Sequence, residues 1–506
     1  MRSTFYGLNI ARSGLFMSQK QLDVTGHNIS NANTDGYSRQ RIVQQGIDPY
    51  GYQTRLALLD DGRVGGGVMG QGVTQIRNAF IDRQYRLENS LASTWNTRSR
   101  ELGYVEKLFN EISDTNSMTI STVIKSFYNS LQELQKQPED ISLRKNVQTN
   151  GENLAAAFNH FYRQLFDIQT EYNDTVKDLT TEVNNIAQSI AAYDMQIYGY
   201  EISGEKANDL RDKRNVLIDE LSSLVNINYT ETDGMMKIYI GDVKPENLLV
   251  DHITYNKLDI SETIANNIPG EADLLYDVVW ASSGTSVELR DGSLKAYIDL
   301  RDGNTSTVQG IPYFLKALND LASAIVTEVN NQHKLGYNIA NSTTGGNSVS
   351  GLLFFDDTPP ITAKSIQLSQ DIKNSEQNIA ASDKPVVFGS DINGYPQIGN
   401  SVNMVEIIKL FDTYITSLNG TFDSYLKAAV VNVATEKKRA DDMSSSQIDI
   451  MDNLTNNRLS ISGVDIDEEV INMITFQQAY AAASRVLTTM DEMLDILINR
   501  TGMVGR

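Results

Sequence analysis

The sequence predicts a mainly α-helical protein with β insertions. Its parts are terminal coiled-coil helices, an elongated helical bundle with a β-hairpin, and a small β-rich outer domain. Three observations lead there. Both ends of the 506-residue chain carry apolar residues at seven-residue spacing. Residues 154–197 place apolar side chains at steps of three and four without a break, far longer than an ordinary globular helix. Two interior stretches, 37–80 and 226–290, switch instead to a two-residue alternation broken by glycine.

In chain order, Leu8, Leu15, Leu22 and Ile29 form one apolar column, while the companion column of Phe5, Arg12, Gln19 and Gly26 is mostly polar. One column makes a thin seam, so this helix is expected to be marginal alone and to need a partner. It runs into NISNANTDGY at 28–37. Asn tolerates the left-handed backbone that ends a helix, and Asp35-Gly36 supplies the turn into a strand at Tyr37. Asn28, Asn31 and Asn33 exceed what a stop signal needs, and a corner rich in amides suits contacts to neighbouring copies. YSRQRIVQ, RLALL and GGGVMGQGVTQI read as a long hairpin over 37–80.

Helical spacing returns from Asp82 to about Ile112, and again through Ile120, Ile124, Phe127, Leu131 and Leu134. Pro138 breaks that helix and is placed to open the next. The long periodic segment follows, then a helix with Leu210, Arg214, Leu217, Leu221 and Leu224. INYTE and MMKIYI flank TDG as a hairpin, and LLYDVVWA and VELR add strands. After Gly310, Pro312 sits in the first turn of another helix. Residues 341–400, rich in Ser, Thr, Asn and Gly, suggest loops with short β runs in GLLFF and PVVFG. A long helix is expected from about Asn400, carrying Met404, Ile407, Phe411, Ile415, Leu418, Phe422, Tyr425 and Ala429.

The closing segment is the most regular. Met473, Tyr480, Leu487 and Leu494 form one column, and Phe476, Ala483, Met490 and Leu497 the other, as in a coiled-coil seam. Residues 1–41 carry a net charge of +3 and residues 464–500 a net charge of −5. Opposite signs favour pairing of the two ends. If the chain runs out and back, the helices are antiparallel and Arg12 faces Asp491 or Glu492. The expected domains are therefore 1–36 with 462–506 as the inner assembly domain, and 37–225, 291–345 and 396–461 as the helical bundle. Residues 226–290 form a β-rich outer domain and 346–395 a minor β and loop insertion.

Composition narrows the function. A net charge of −21 argues against a nucleic-acid partner, since phosphates would be repelled. No apolar run reaches the length of a membrane span. The first twenty residues lack the apolar core of a secretory signal. The absence of cysteine removes disulfides, thiolate metal sites and thiol nucleophiles. GGGVMG at 65–70 satisfies the spacing of a dinucleotide loop but leads into VTQI, read as a strand, where a helix is required. GYEISGEK at 199–206 has Glu205 where a phosphate-binding loop needs Lys. DIDEE at 465–469 lacks the glycine of a calcium loop and reads as an acidic first helical turn. His27, His160, His252 and His333 have no metal-ligand spacing. No cofactor, metal site or catalytic constellation is expected, and the chain is not read as an enzyme.

NISNANTDGYSRQ resembles the N-terminal signature of the bacterial flagellar axial proteins of rod, hook and hook junction. Its GYSRQ ending is most similar to the hook–filament junction family of hook-associated proteins. SGVDIDEEVINMITFQQAYAAASRVLTTMDEMLDILIN resembles the closing helix of that family, notably through Gln477, Gln478 and Tyr480. NDLRDKRNVLIDELS at 208–222 and LASAIVTEVNNQHKLGYN at 321–338 fit as well. The resemblance implies a structural subunit that polymerises into the zone between hook and filament through paired terminal helices. Those helices would be disordered in the free subunit and ordered on assembly. Its partners would be itself, hook protein, a second junction protein and an export chaperone covering the C-terminal helix. It would leave the cell through the flagellar export channel without a cleaved signal and lie extracellularly in the flagellum. The assembly residues would be Leu8, Leu15, Leu22, Asn28, Ile29, Asn31, Asn33, Thr34, Gly36, Tyr37 and Arg39 at the front. At the back they would be Met473, Phe476, Gln477, Gln478, Tyr480, Leu487, Met490, Leu494 and Leu497. The alternatives are a flagellar hook or rod protein, or a soluble coiled-coil adhesion or binding module.

Overall fold

A computed structural model describes residues 6–47, 65–113, 119–232, 234–269, 271–339, 348–386 and 399–500. Residues 48–64, which include RLALL, and most of PVVFG lie outside the described residues. Helix α1 (Tyr6–Ser30) leads through the Asn-rich corner into an antiparallel pair, β1 (Gln40–Gly46) and β2 (Val68–Gln75). Helices α2 (Ala79–Ser113), α3 (Ile120–Lys136), α4 (Ile141–Glu201) and α5 (Asn208–Leu224) follow. Strands β3 (Ile227–Thr232), β4 (Met235–Ile240), β5 (Leu248–Asp251) and β6 (Thr254–Tyr255) form one sheet in that order. Strands β7 (Leu258–Ala265) and β8 (Leu274–Trp280) form a separate pair. Next come α6 (Ser293–Asp302), α7 (Ile311–His333), a short α8 (Gln370–Asn374), α9 (Val402–Leu410), α10 (Phe422–Ser462) and α11 (Ile466–Asp495).

Helix α4 is the spine, and its two halves serve two cores. The half up to Tyr172 packs with α2, α3, α7, α9 and α10 around Phe127, whose ring contacts Phe354, Phe355 and Phe411 at 5.4, 6.1 and 6.1 Å between centroids. The half from Val176 to Ala191 packs on α5, α6 and the strands β3 to β8. Arg214 and Asp194, both inaccessible, meet there at 2.5 Å. Arg214 also donates to Gly234 O, and Asp194 accepts from Met236 N, so the β3–β4 turn is fastened to α4 and α5. Burial raises the Asp194 carboxyl above its ordinary range, against the pull of Arg214.

Four local expectations need correction. VELR is not a strand; only an isolated bridge from the neighbouring Ser286 to Val279 forms there. Pro138 does not open α4; Asp140 caps it by accepting from Ser142 N and Leu143 N, leaving the proline in the preceding turn. The helix expected from Asn400 through Ala429 is two helices. Asn419 adopts φ 52°, Ile415 bridges Gly420, and a Thr421–Ser424 capping box starts α10 afresh. Phe411 thereby turns onto Phe127 and Phe422, a burial that a continuous helix would forfeit. GLLFF is not a strand. The Asn330 amide bonds Phe354 N, Phe355 N and Phe355 O, taking the place of a ladder and leaving one isolated bridge, Phe355 to Leu368. Both phenylalanines are buried in the bundle.

Candidate assembly joint

Helices α1 and α11 lie antiparallel. A Cβ on Gly7 would come within 2.9 Å of Met490 Cε, one on Gly14 within 3.9 Å of Ala483, and Asn28 donates to Glu469 at 3.1 Å. All three contacts share one register. It places Arg12 level with Arg485, about a turn and a half from Asp491, so the expected Arg12 pairing does not form. The seam is also displaced. Ala11, Met17, Ser18, Thr25 and Asn28 are the buried residues; all but Met17, which turns to the hairpin at Gly70, align with Gly7 and Gly14, while Leu8, Leu15, Leu22 and Ile29 are only half-buried. Small residues let the helices approach closely and leave room for the Met490 side chain.

On α11 the column of Phe476, Ala483 and Met490 turns to α1, and Met473, Leu487 and Leu494 flank it half-buried. Tyr480, Gln477, Gln478 and Leu497 are exposed. Glu469 is the one buried residue of α11 among those described. A separate apolar face points to solvent, with Ile471 64%, Ile474 54% and Met493 57% exposed, and Phe16 of α1 57%.

The hairpin braces α1, a role that alternation alone did not reveal. Val68 N donates to Ser13 Oγ at 3.2 Å. Gly67 has φ +112°, and a Cβ there would strike Ser13 Oγ at 2.2 Å; one at Gly70 would meet Met17 Cε at 2.9 Å.

The corner converts these helices into one joint with the bundle. Asn28 is 1% exposed, and its amide is saturated. Its Nδ2 donates to Gln40 O at 3.0 Å and to Glu469, while its Oδ1 accepts from Gln40 N at 3.0 Å and Tyr37 Oη at 2.8 Å. An amide has two donors and two acceptor sites, and all four are used. Asn28 is therefore turned inward, not offered to neighbouring copies. Asn31 bonds back to His27 O, Thr34 bonds Asn31, and Asn33 stands exposed.

Burial, with Asp209, Asp212 and Glu469 nearby, pushes the Tyr37 phenol well above its ordinary range, so it remains a donor. Arg39 donates to Glu469 at 2.7 Å and Glu468 at 2.9 Å, and its backbone N–H reaches Ser462 O at 2.8 Å, across the α10–α11 junction. Burial opposes the Arg39 charge, but Glu469 and Glu468 outweigh it and raise the guanidinium further. Gly36 needs its positive φ of +74° and its lack of a Cβ, which would fall 2.1 Å from Val216 Cγ2.

Behind the corner, Ser38 donates twice to Asp212, at 3.1 Å from N and 2.7 Å from Oγ. Burial holds the Asp212 carboxyl above its usual range despite these bonds. Arg77 forks onto Asp82 at 3.0 and 3.1 Å. Arg458 of α10 spans Asp82 at 3.1 Å and Asp219 at 2.7 Å, and Arg86 also binds Asp219. The Asp82 carboxyl, raised by burial, is brought below its usual range mainly by the Arg77 bonds.

Sequence reasoning singled out Asn28, Gly36, Tyr37 and Arg39, which the structure joins. It did not place Gln40, Ser38, Asp212, Arg77, Asp82 or Arg458 in the joint. The opposite charges of the two ends were the available signal for Glu468 and Glu469. The stripe Gly7, Ala11, Gly14, Ser18 was the available signal for the seam. Among the described residues, no helix is long and apolar enough to cross a membrane, and no group of three or more His, Asp or Glu could hold a metal.

Comparison with known proteins agrees with this architecture. Residues 102–348 match the family described as flagellar hook-associated protein FlgK helical domain. Residues 8–37 match the flagella basal body rod protein family, and 455–500 the flagellar basal body rod FlgEFG protein C-terminal family. Flagellar hook-associated protein 1 of Bacillus subtilis is 30% identical, with all of both chains aligned. The Escherichia coli protein of that name is 25% identical over 97% of this chain and 99% of its own. The solved structure of the flagellar hook junction protein FlgK from Burkholderia pseudomallei shares the fold, with a TM-score of 0.59 and 13% identity over 75% of this chain and 100% of that one. From its two ends to its helical centre, this chain belongs to the flagellar hook-associated protein 1 (FlgK) family, a structural component of the flagellar hook–filament junction.

Proposed function

We propose that the subunit polymerises through the α1–α11 pair, and that the Asn28–Tyr37–Arg39–Glu469 joint fixes the angle at which that pair meets the bundle. The supporting observation is that α11 buries a single described residue, Glu469, while Ile471, Ile474 and Met493 face solvent. An apolar face of this kind on a soluble subunit marks an association surface. In the assembly it is covered by neighbouring copies, and Leu8, Leu15, Leu22 and Ile29 join that contact from α1. Asn31, Asn33 and Thr34 lie at the exposed corner, where an adjacent copy reaches them. Before assembly, an export chaperone covers α11. Hook protein and a second junction protein bound the zone on either side, and the location is extracellular, reached by flagellar export. The role is mechanical, not catalytic.

The test removes residues 1–30 or 465–506. The expected product is a folded, soluble middle that fails to complete filaments in cells. A truncated protein that still supports filament growth would contradict the reading.

A further inference from the structure

His333, at the end of α7, is wholly buried and bonds through both ring nitrogens to two different segments of chain. Its Nδ1 lies 2.7 Å from Leu352 O, and Ala380 N donates to its Nε2 at 2.9 Å. Only the neutral ring with its proton on Nδ1 satisfies both contacts, because Nε2 must accept. The Phe354 ring packs on it at 5.6 Å. From α4, Arg144 reaches into the same place and donates to Ile379 O at 2.7 Å, Gln377 O at 3.4 Å and Pro138 O at 2.7 Å. From α9, the neutral Asn403 donates to Ala380 O at 2.7 Å.

Arg144 is the charged group facing the imidazole from the packed elements; Glu139 and Glu376 act on Arg144, and Lys334 pairs with Asp357 at the surface. A proton on Nε2 would replace an accepted hydrogen bond with two donors face to face and set a second buried cation beside Arg144. We propose that His333 is a pH-operated latch: protonation of its Nε2 releases the 352–381 segment from α7 and α4 at acid pH while the second core, around Met236, holds.

Burial, aided by Arg144, lowers the His333 pKa from 6.5 to about 4. A depressed histidine pKa means that the open state binds the proton more readily than the closed one. The latch is therefore fully effective above pH 6.5 and weakens as pH falls toward 4, with opening favoured roughly thirtyfold by pH 5.

Hydrogen exchange on the full chain from pH 7 to 4.5, corrected for the intrinsic exchange rate, tests this. Peptides covering 352–381 are expected to lose roughly thirtyfold protection by pH 5, while those around Met236 hold. In His333→Gln the pH step should vanish. Protection at Ala380 that survives to pH 4.5, falls together with that at Met236, or falls equally in His333→Gln would overturn the proposal. Should that variant not fold, histidine ring NMR of the unaltered chain decides. The His333 ring must become protonated over the range in which the segment opens; protonation without opening refutes the latch.

Discussion

Helices α4 and α11 share a three-and-four apolar rhythm but not a fate. Helix α4 buries side chains from Arg144 to Ile197 against elements of its own chain. Helix α11 packs along α1, with one buried residue among those described, and keeps Ile471, Ile474 and Met493 in water. Periodicity reports that a helix has an apolar face; it does not report whether the cover for that face lies within the chain. The bundle carries its own stability, whereas the terminal pair is held by a close small-residue seam, the braced hairpin and one saturated polar joint.

Substitutions can break or sharpen this contrast. The largest expected effect is Phe158→Ala, in the fully buried face of α4, which should lower the stability of the bundle by about 3–5 kcal/mol. Chemical unfolding followed by far-ultraviolet dichroism checks it, and the exchange rates of α1 and α11 should hardly change below the unfolding transition. Asn28→Ala should cost about 2–3 kcal/mol, because Gln40 and Tyr37 lose buried partners. The loss should appear as faster exchange and proteolysis of α1 and α11, with the bundle's melting temperature nearly unchanged. A fall in bundle melting equal to that of Phe158→Ala would erase the distinction. The smallest effect on the subunit itself is expected from Ile474→Ser, within about 0.5 kcal/mol because the side chain is already exposed. The same change should impair filament completion in a motility assay, and full motility would place the assembly surface elsewhere.

Much of this was legible in the sequence where one chemical rule governs one element. The seven-residue columns announced the terminal helices, Asp-Gly the turn at 35–36, and the acidic 465–469 stretch the start of α11, where Asp465 caps Asp467 N and Glu468 N. Legibility failed where a distant residue decides a local conformation. The break after Leu410 depends on a pocket for Phe411 built by α3. The irregular path of GLLFF depends on Asn330, and the seam of α1 is centred on glycine and alanine because Met490 and Ala483 come from the far end of the chain. Asn28 looked like one of three similar amides; only the fold shows that Gln40, Tyr37 and Glu469 converge on it and not on Asn33.

The most direct measurement is hydrogen exchange across α1, α4 and α11 in the free subunit and again after assembly. Fast exchange of both terminal helices in the free protein, slowing by orders of magnitude on assembly while α4 stays protected throughout, is the predicted outcome. Terminal helices as protected as α4 before any neighbour is present would contradict it.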